Sequence, residues 1–285
     1  MALKEDVREK GGKKMSRKIA YSGIEGAFAN IVAKKIFPED EPVPFKNFRE
    51  TYDAVSAGLC DYAVLPIDNS YSGEVTEVMD LLFEGNLYIN ALYSLPVIQN
   101  LLGVPGSTKE DIRRVVSHPK ALEQCDGYIR KCGYEAVQAA NTARAAREVA
   151  AQKDRSTAAI ASLETAEIYG LEVLEEHINE SDDNTTRFVV VSKEKGRLGL
   201  FEDEESFIML FSVDNSAGAL LLPLQIIARY EYNMKVLHSR PLKHHKWQYY
   251  FYVEMEGDYN TENGMKMTRV LEEECRFIKV LGPCR

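Results

Sequence analysis

Two segments of the chain set short polar side chains against an apolar run, an arrangement suited to holding a small anion. In residues 61–75 the run Tyr62-Ala-Val-Leu-Pro-Ile67 passes directly into Asp68-Asn69-Ser70 and then Gly73. Where a buried strand ends in an open α/β sheet, such side chains and free backbone N–H groups line the ligand crevice. Asn69 and Ser70 would equally well turn the chain and cap a helix, and spacing does not choose between the two roles. In the second segment, Asn184-Thr-Thr-Arg-Phe-Val-Val-Val191, the polar residues lead into a β-branched strand. Arg187 offers a planar, permanently charged fork for a carboxylate, or else a surface ion pair with Thr185 and Thr186 as ordinary strand residues.

Other candidates carry less chemistry. His118, in Ser117-His-Pro119, titrates near neutrality and suits acid–base work, but a loop histidine before proline also suits a structural hydrogen bond. His244 and His245 sit between Lys243 and Lys246 in what reads as a solvated turn, and no metal-ligand spacing occurs. Gly23 and Gly26 miss the G-x-G-x-x-G spacing of a dinucleotide site. The five cysteines, Cys60, Cys125, Cys132, Cys275 and Cys284, are odd in number and scattered, which predicts free thiols.

Strands alternating with helices must position these groups. Residues 18–23 predict a strand ended by glycine, 27–37 a helix stopped by Pro38, 48–59 a second helix and 62–67 a buried strand, the order of a parallel sheet. Residues 111–116, 120–132, 143–152 and 158–161 extend the alternation into a second α/β unit. Residues 163–169 then form a helix with Gly170 at its end, and 187–192 close the region with a strand. A charged, glycine-containing stretch at 193–205 reads as a linker. Beyond it, 206–213, 217–230, 236–239, 249–256, 265–274 and 276–281 predict a β-α-β-β-α-β order, that of a ferredoxin-like domain. Tyr249, Tyr250 and Tyr252 read as core and solvent faces of one strand.

With 35 basic and 44 acidic residues the formal net charge is −9, which argues against a general nucleic-acid binder. At 45% hydrophobic and 28% charged, the composition is that of a globular protein. The most apolar stretch, 217–228, is short and broken by Pro223 and Gln225, so no membrane span is expected. Residues 1–17 read as a disordered leader or linker remnant without the apolar region of a secretory signal, and the expected location is cytoplasmic.

Several collinear motifs resemble prephenate dehydratase, from about residue 18 to 285. Residues 20–28, 64–70 and 117–125 look like the family's first glycine loop, strand-to-site motif and second-lobe signature, and 184–188 like its T-R-F motif. Residues 215–220 and 238–241 look like the two phenylalanine-binding motifs of its C-terminal ACT domain. The resemblance implies a two-lobed α/β catalytic region, folded like a type II periplasmic binding protein, over residues 18–192. Lobe 1 would span about 18–100 and 176–192, and lobe 2 about 101–175. A linker at 193–205 and a ferredoxin-like ACT domain at 206–285 would follow.

The implied reaction converts prephenate to phenylpyruvate with loss of carbon dioxide and the ring hydroxyl, and needs no cofactor or metal because aromatisation drives it. Thr186 falls on the family's catalytic threonine, as donor to the departing hydroxyl. Arg187 would supply positive charge for a dianionic substrate, directly or through the structure of the site. Ala27, Phe28, Asn69, Ser70, Thr142 and Phe188 would bind substrate. L-Phenylalanine would bind at Asn215, Ala217, Gly218, Ala219, Leu220, His238, Ser239, Arg240 and Pro241, between ACT domains of a homodimer or homotetramer. The chain departs from the family's usual residues at Ala29 (serine in many relatives), Asp68 (glutamate) and His238 (glutamate). Arogenate dehydratase and a non-catalytic amino-acid sensor are the alternative readings.

Overall fold

Strand-forming runs and capped helices alternate from residue 18 onward. The computed structural model describes residues 16–181, 183–196, 198, 206–243 and 247–284, and these build three sheets. The first contains β1 (Lys18–Ser22), β2 (Glu41–Phe45), β3 (Tyr62–Asn69), β4 (Gly73–Glu74) and β5 (Tyr88–Pro96). Between them run α1 (Phe28–Ile36), α2 (Phe48–Ser56) and α3 (Thr76–Glu84). Pro42 and Pro44 lack the N–H groups a central strand needs, and β2 accordingly lies at the sheet edge. Helix α2 starts where the Asn47 side chain accepts the Glu50 N–H at 2.8 Å while Glu50 accepts the Lys46 N–H at 3.3 Å, so one free donor of the first turn and one just before the cap are met.

The second lobe carries β6 (Asn100–Gly103), β7 (Arg114–Ser117), β8 (Glu135–Gln138), β9 (Thr157–Ala161) and β10 (Glu172–Glu175). Its helices are α4 (Pro119–Gln124), α5 (Asp126–Cys132), α6 (Thr142–Gln152) and α7 (Leu163–Tyr169), the last ended by left-handed Gly170. The expected single helix over 120–132 breaks at Cys125, whose backbone leaves the helical region. The chain then returns as β11 (Thr185–Ser192), inserted between β3 and β5 and antiparallel to both. The sheet of each lobe is therefore mixed rather than wholly parallel, because β5–β6 and β10–β11 carry the chain back and forth between lobes. These crossings are tied together, with the Val97 N–H donating to Asn184 O at 2.7 Å and the Ile178 N–H to Gln99 O at 2.9 Å.

The C-terminal domain runs β12 (Ser206–Ser212), α8 (Leu221–Arg229), β13 (Met234–Pro241), β14 (Tyr249–Glu256), α9 (Glu262–Glu274) and β15 (Phe277–Cys284). Its antiparallel sheet is ordered β13-β14-β12-β15, the ferredoxin-like arrangement. Helix α8 begins at Leu221 rather than near 217, after Gly218 at φ +83°. All of β12 is buried, because the sheet is covered on both faces. Phe207, Met209 and Phe211 pack under α8 and α9, while Ile208 and Leu210 join Tyr250, Tyr252 and Leu281 against Leu65, Ile67, Val189 and Val191 of the first lobe. A continuous core thus joins the C-terminal domain to the first lobe, with Tyr250 and Tyr252 on its inner face. Residues 1–15, most of the expected linker and His244 and His245 lie outside the described residues.

Polar contacts reinforce this junction. Asp80 of α3, 6% exposed, accepts from Tyr250 Oη at 2.9 Å and meets Lys243 at 2.9 Å and Arg240 at 3.2 Å. Burial pushes its pKa up, but those three partners outweigh burial and hold it below the usual range. Lys279 of β15 donates to Leu82 O at 3.0 Å and Gly85 O at 2.8 Å, at the end of α3. Burial, and then the charge of Lys195, pull its pKa down to about 8. A lysine whose folded pKa lies below its unfolded value lowers stability while both states are protonated. That cost is relieved as pH rises through about 8 toward the unfolded value near 10.4. Thermal melts of Lys279→Met from pH 7 to 10 should therefore show a flatter rise, or steeper fall, than wild type across that window; parallel curves would refute the assignment.

Candidate active site

The end of β3 and the start of β11 meet in register, Asn69 opposite Thr186 and Asp68 opposite Arg187. Strand geometry sends neighbouring side chains to opposite faces. Thr186 and Phe188 lie on the face of α1, where Phe188 packs in one cluster with Ala29 and Phe28. Thr185 and Arg187 lie on the face of the C-terminal domain. A bulge in β3, with Phe188 opposite Pro66 and Arg187 opposite Asp68, leaves Ile67 unpaired and puts Ile67 and Asp68 side by side on that second face. Pro66 is tolerated there because β1 pairs with β3 only over residues 62–64.

On the first face, Asn69 holds Thr186. Asn69 Oδ1 accepts the N–H groups of Tyr71 at 3.0 Å and Ser72 at 2.9 Å, which fixes the orientation of the carboxamide. Its Nδ2 then donates to Thr186 Oγ1 at 2.9 Å and to Asn184 Oδ1 at 2.8 Å. With a lone pair of Thr186 occupied by a donor that takes no proton, the threonine's own O–H is free to donate elsewhere. Asn184, 3% exposed, passes the chain on, its Nδ2 donating to Gln124 Oε1 at 3.0 Å in the second lobe. Lys120 reaches back from α4 to Ser72 Oγ at 2.9 Å. His118 caps α4 by accepting the Lys120 N–H at 3.2 Å, and burial, then the Lys120 charge, hold its pKa down.

On the second face Arg187 is enclosed by acids. Its Nε donates to both Asp68 oxygens, at 2.9 and 3.0 Å, one Nη bonds Asp68 Oδ2, and the other donates to Glu254 Oε2 at 2.8 Å. Burial lowers the guanidinium pKa, but the Asp68 hydrogen bonds and the charges of Glu254 and Asp68 outweigh it and raise it. A cleft of about 340 Å³ opens here between first lobe and C-terminal domain, with Ser70, Glu74, Ser94 and His238 on its walls. The His238 Nδ1 lies 2.6 Å from Glu74 Oε1.

The expected substrate residues therefore divide. Asn69, Thr186, Phe188 and Phe28 share one face; Ala27 precedes α1 as its N-cap, and Ser70 is exposed, its Oγ donating to Asp183 O at 2.7 Å. Thr142 opens α6 in the second lobe, half-buried. Of the expected effector residues, Asn215, Ala217, Gly218, Ser239 and Pro241 are exposed, and Ala219 and Leu220 half-buried. His238 and Arg240 turn toward the first lobe. Sequence reading did not single out Asn184, Gln124, Glu74 or Glu254. The first two lie inside quoted motifs as amides that buried strand ends would need, whereas nothing local marks the two acids. Among the described residues no group of three His, Cys, Asp or Glu side chains is arranged to hold a metal, and no helix is long and apolar enough to cross a membrane.

Comparison with known proteins supplies the family. The family profile described as prephenate dehydratase matches residues 19–196. The Arabidopsis thaliana protein named arogenate dehydratase/prephenate dehydratase 2, chloroplastic, is 36% identical over 277 residues, covering 93% of this chain and 72% of that one. Prephenate dehydratase of Lactococcus lactis is 34% identical, over 90% of this chain and 92% of its own length. A solved structure described as GqqA, a novel type of quorum quenching acylase, superposes with a TM-score of 0.85 at 31% identity, covering 94% and 97% of the two chains. Taken with the profile match over more than half its length, these likenesses place the chain in the prephenate dehydratase family.

Proposed function

We propose that the chain converts prephenate to phenylpyruvate, carbon dioxide and water, and that L-phenylalanine regulates it through the C-terminal domain, an ACT domain. The reaction consumes one proton per dianionic substrate, since carboxylate and hydroxide leave as carbon dioxide and water. Its demand on the protein is a donor at the departing hydroxyl, because loss of carbon dioxide and aromatisation supply the driving force without a cofactor. The observation that carries this reading is the 2.9 Å bond from Asn69 Nδ2 to Thr186 Oγ1, which leaves the threonine proton to point at substrate. Threonine is too weak an acid to protonate a leaving group outright, so Thr186 orients and hydrogen-bonds the hydroxyl while solvent delivers the proton. Acyl-group cleavage, by contrast, needs a base on the nucleophile, and Asn69 offers Thr186 a donor instead.

Within this reading Arg187 works through the structure of the site, since its guanidinium is spent on Asp68 and Glu254 on the face away from Thr186. Phe28, Ala27, Phe188, Asn69, Ser70 and Thr142 bound the substrate space. Phenylalanine binds at 215–220 and 238–241, between ACT domains of a homodimer or homotetramer, in the cytoplasm. Arogenate differs by an amino group in place of the keto oxygen, and the Arabidopsis relative's name carries both activities. The test is phenylpyruvate formation from prephenate beside phenylalanine formation from arogenate, each with and without added phenylalanine. Turnover of prephenate that phenylalanine alters supports the reading. Turnover of arogenate alone reassigns the substrate, and stabilisation by phenylalanine without any turnover marks a sensor.

A further inference from the structure

The two strands that frame Asp68 and Asn69 are both gripped from the C-terminal sheet. On one side β11 is held by Arg187, whose Nη donates to Glu254 at 2.8 Å. On the other, β4 pairs Glu74 with Asp68 and Gly73 with Asn69, and Glu74 meets His238 at 2.6 Å. Glu254 stands on β14, an inner strand paired to β12 and β13, and its side chain is 4% exposed. A carboxylate rooted that firmly and buried that deeply moves only with its sheet.

We propose that Glu254 is a positioning residue for the Asn69–Thr186 pair, acting through Arg187, so that the placement of the C-terminal sheet sets how well Thr186 is aimed. The inference rests on the dehydratase reading and deepens it by naming its regulatory contact. Arg187 and Thr186 are consecutive residues on opposite faces of β11, so a shift of the guanidinium turns the strand and re-aims the hydroxyl. Asp68 and Asn69, the partners of those two residues, are consecutive in β3 and move in the same way. An effector that displaces β13 and β14 against the first lobe would thus change turnover without touching substrate.

Glu254→Gln is the informative variant. It keeps the shape and an acceptor for Arg187, and Asp68 still pairs the guanidinium, so no buried charge is orphaned. We expect kcat for prephenate to fall about tenfold with KM within about twofold, the mark of lost alignment rather than lost binding. Glu254→Asp should recover only part of the loss, since its carboxylate is one methylene short. In a Thr186→Ala background Glu254→Gln should cost nothing further, because both changes act on one hydroxyl. Unchanged kcat in Glu254→Gln, or an equal loss in both backgrounds, overturns the proposal. If wild type turns over neither prephenate nor arogenate, the dehydratase reading fails by itself, and hydrogen exchange then decides the coupling. Faster exchange of the β11 amides in Glu254→Gln, with β1 and β2 unchanged, upholds it, and no change refutes it.

Discussion

Thr186→Ala is expected to lower kcat for phenylpyruvate formation by roughly 10²–10³ while leaving the fold intact, the range seen when one positioned donor to a developing charge is removed. Stability should change little because Asn69 Nδ2, on losing Thr186 Oγ1, keeps Asn184 Oδ1 at 2.8 Å and a weaker contact to Thr185 O at 3.2 Å. No buried amide is stranded, so the cost should be no more than about one hydrogen bond, ~1 kcal/mol. Thr186→Ser separates the oxygen from its placement. It restores the donor but not the second substituent on Cβ that restricts its rotamer, and should recover activity in part. Steady-state kinetics and a melting curve on the three proteins suffice. Turnover within threefold of wild type in Thr186→Ala would remove Thr186 from the chemistry and leave Asn69 as a turn residue.

A second large effect is expected far from that hydroxyl, at Gly282 in β15. The residue sits at φ +141°, a conformation that L side chains rarely adopt, and a Cβ built there would lie 2.1 Å from Ile89 O in β5. The Cβ is fixed by its own backbone and meets backbone, so no rotamer change relieves the clash, and β15 must lift from the first lobe. Strain and overpacking of this kind cost roughly 2–5 kcal/mol together. The loss falls on the shared core, where Leu281 and Ile89 are fully buried. Gly282→Ala should therefore lower the midpoint of denaturant unfolding and weaken the response to phenylalanine in the same protein. An unaltered midpoint would mean that the two strands do not approach this closely in solution.

The pairing of Thr186 with Asn69 was legible in part, since each stood where an apolar run met short polar residues, though 117 residues separate them. The direction of Arg187 was not. A planar cation beside short polar residues suggests a substrate carboxylate, but strand alternation turns it to the far face, and the bulge that brings Asp68 to meet it leaves no mark in composition. Glu254 was hidden for a related reason, as one acid in a tyrosine-rich strand whose partner is 67 residues away. The burial of β12 did leave a signal. Residues 206–212 show no alternation of apolar and polar side chains, which is how a strand covered on both faces reads. Helices α8 and α9 account for one cover, and the first lobe is the other.

The place of β11 in the first sheet has a consequence for how the protein is born. Strands β3 and β5 each pair with β11 rather than with one another, so in a nascent chain that has reached residue 175 β3 keeps an open edge and β5 has no strand beside it. The second lobe, whose sheet uses residues 100–175 alone, can finish while the ribosome is still adding to it. The first lobe has to wait for Thr185–Ser192, the stretch that delivers Thr186 to Asn69. Closing the last gap in the sheet and creating the Asn69–Thr186 pair are then a single event in synthesis, so the pair forms only with the strand that completes the first lobe.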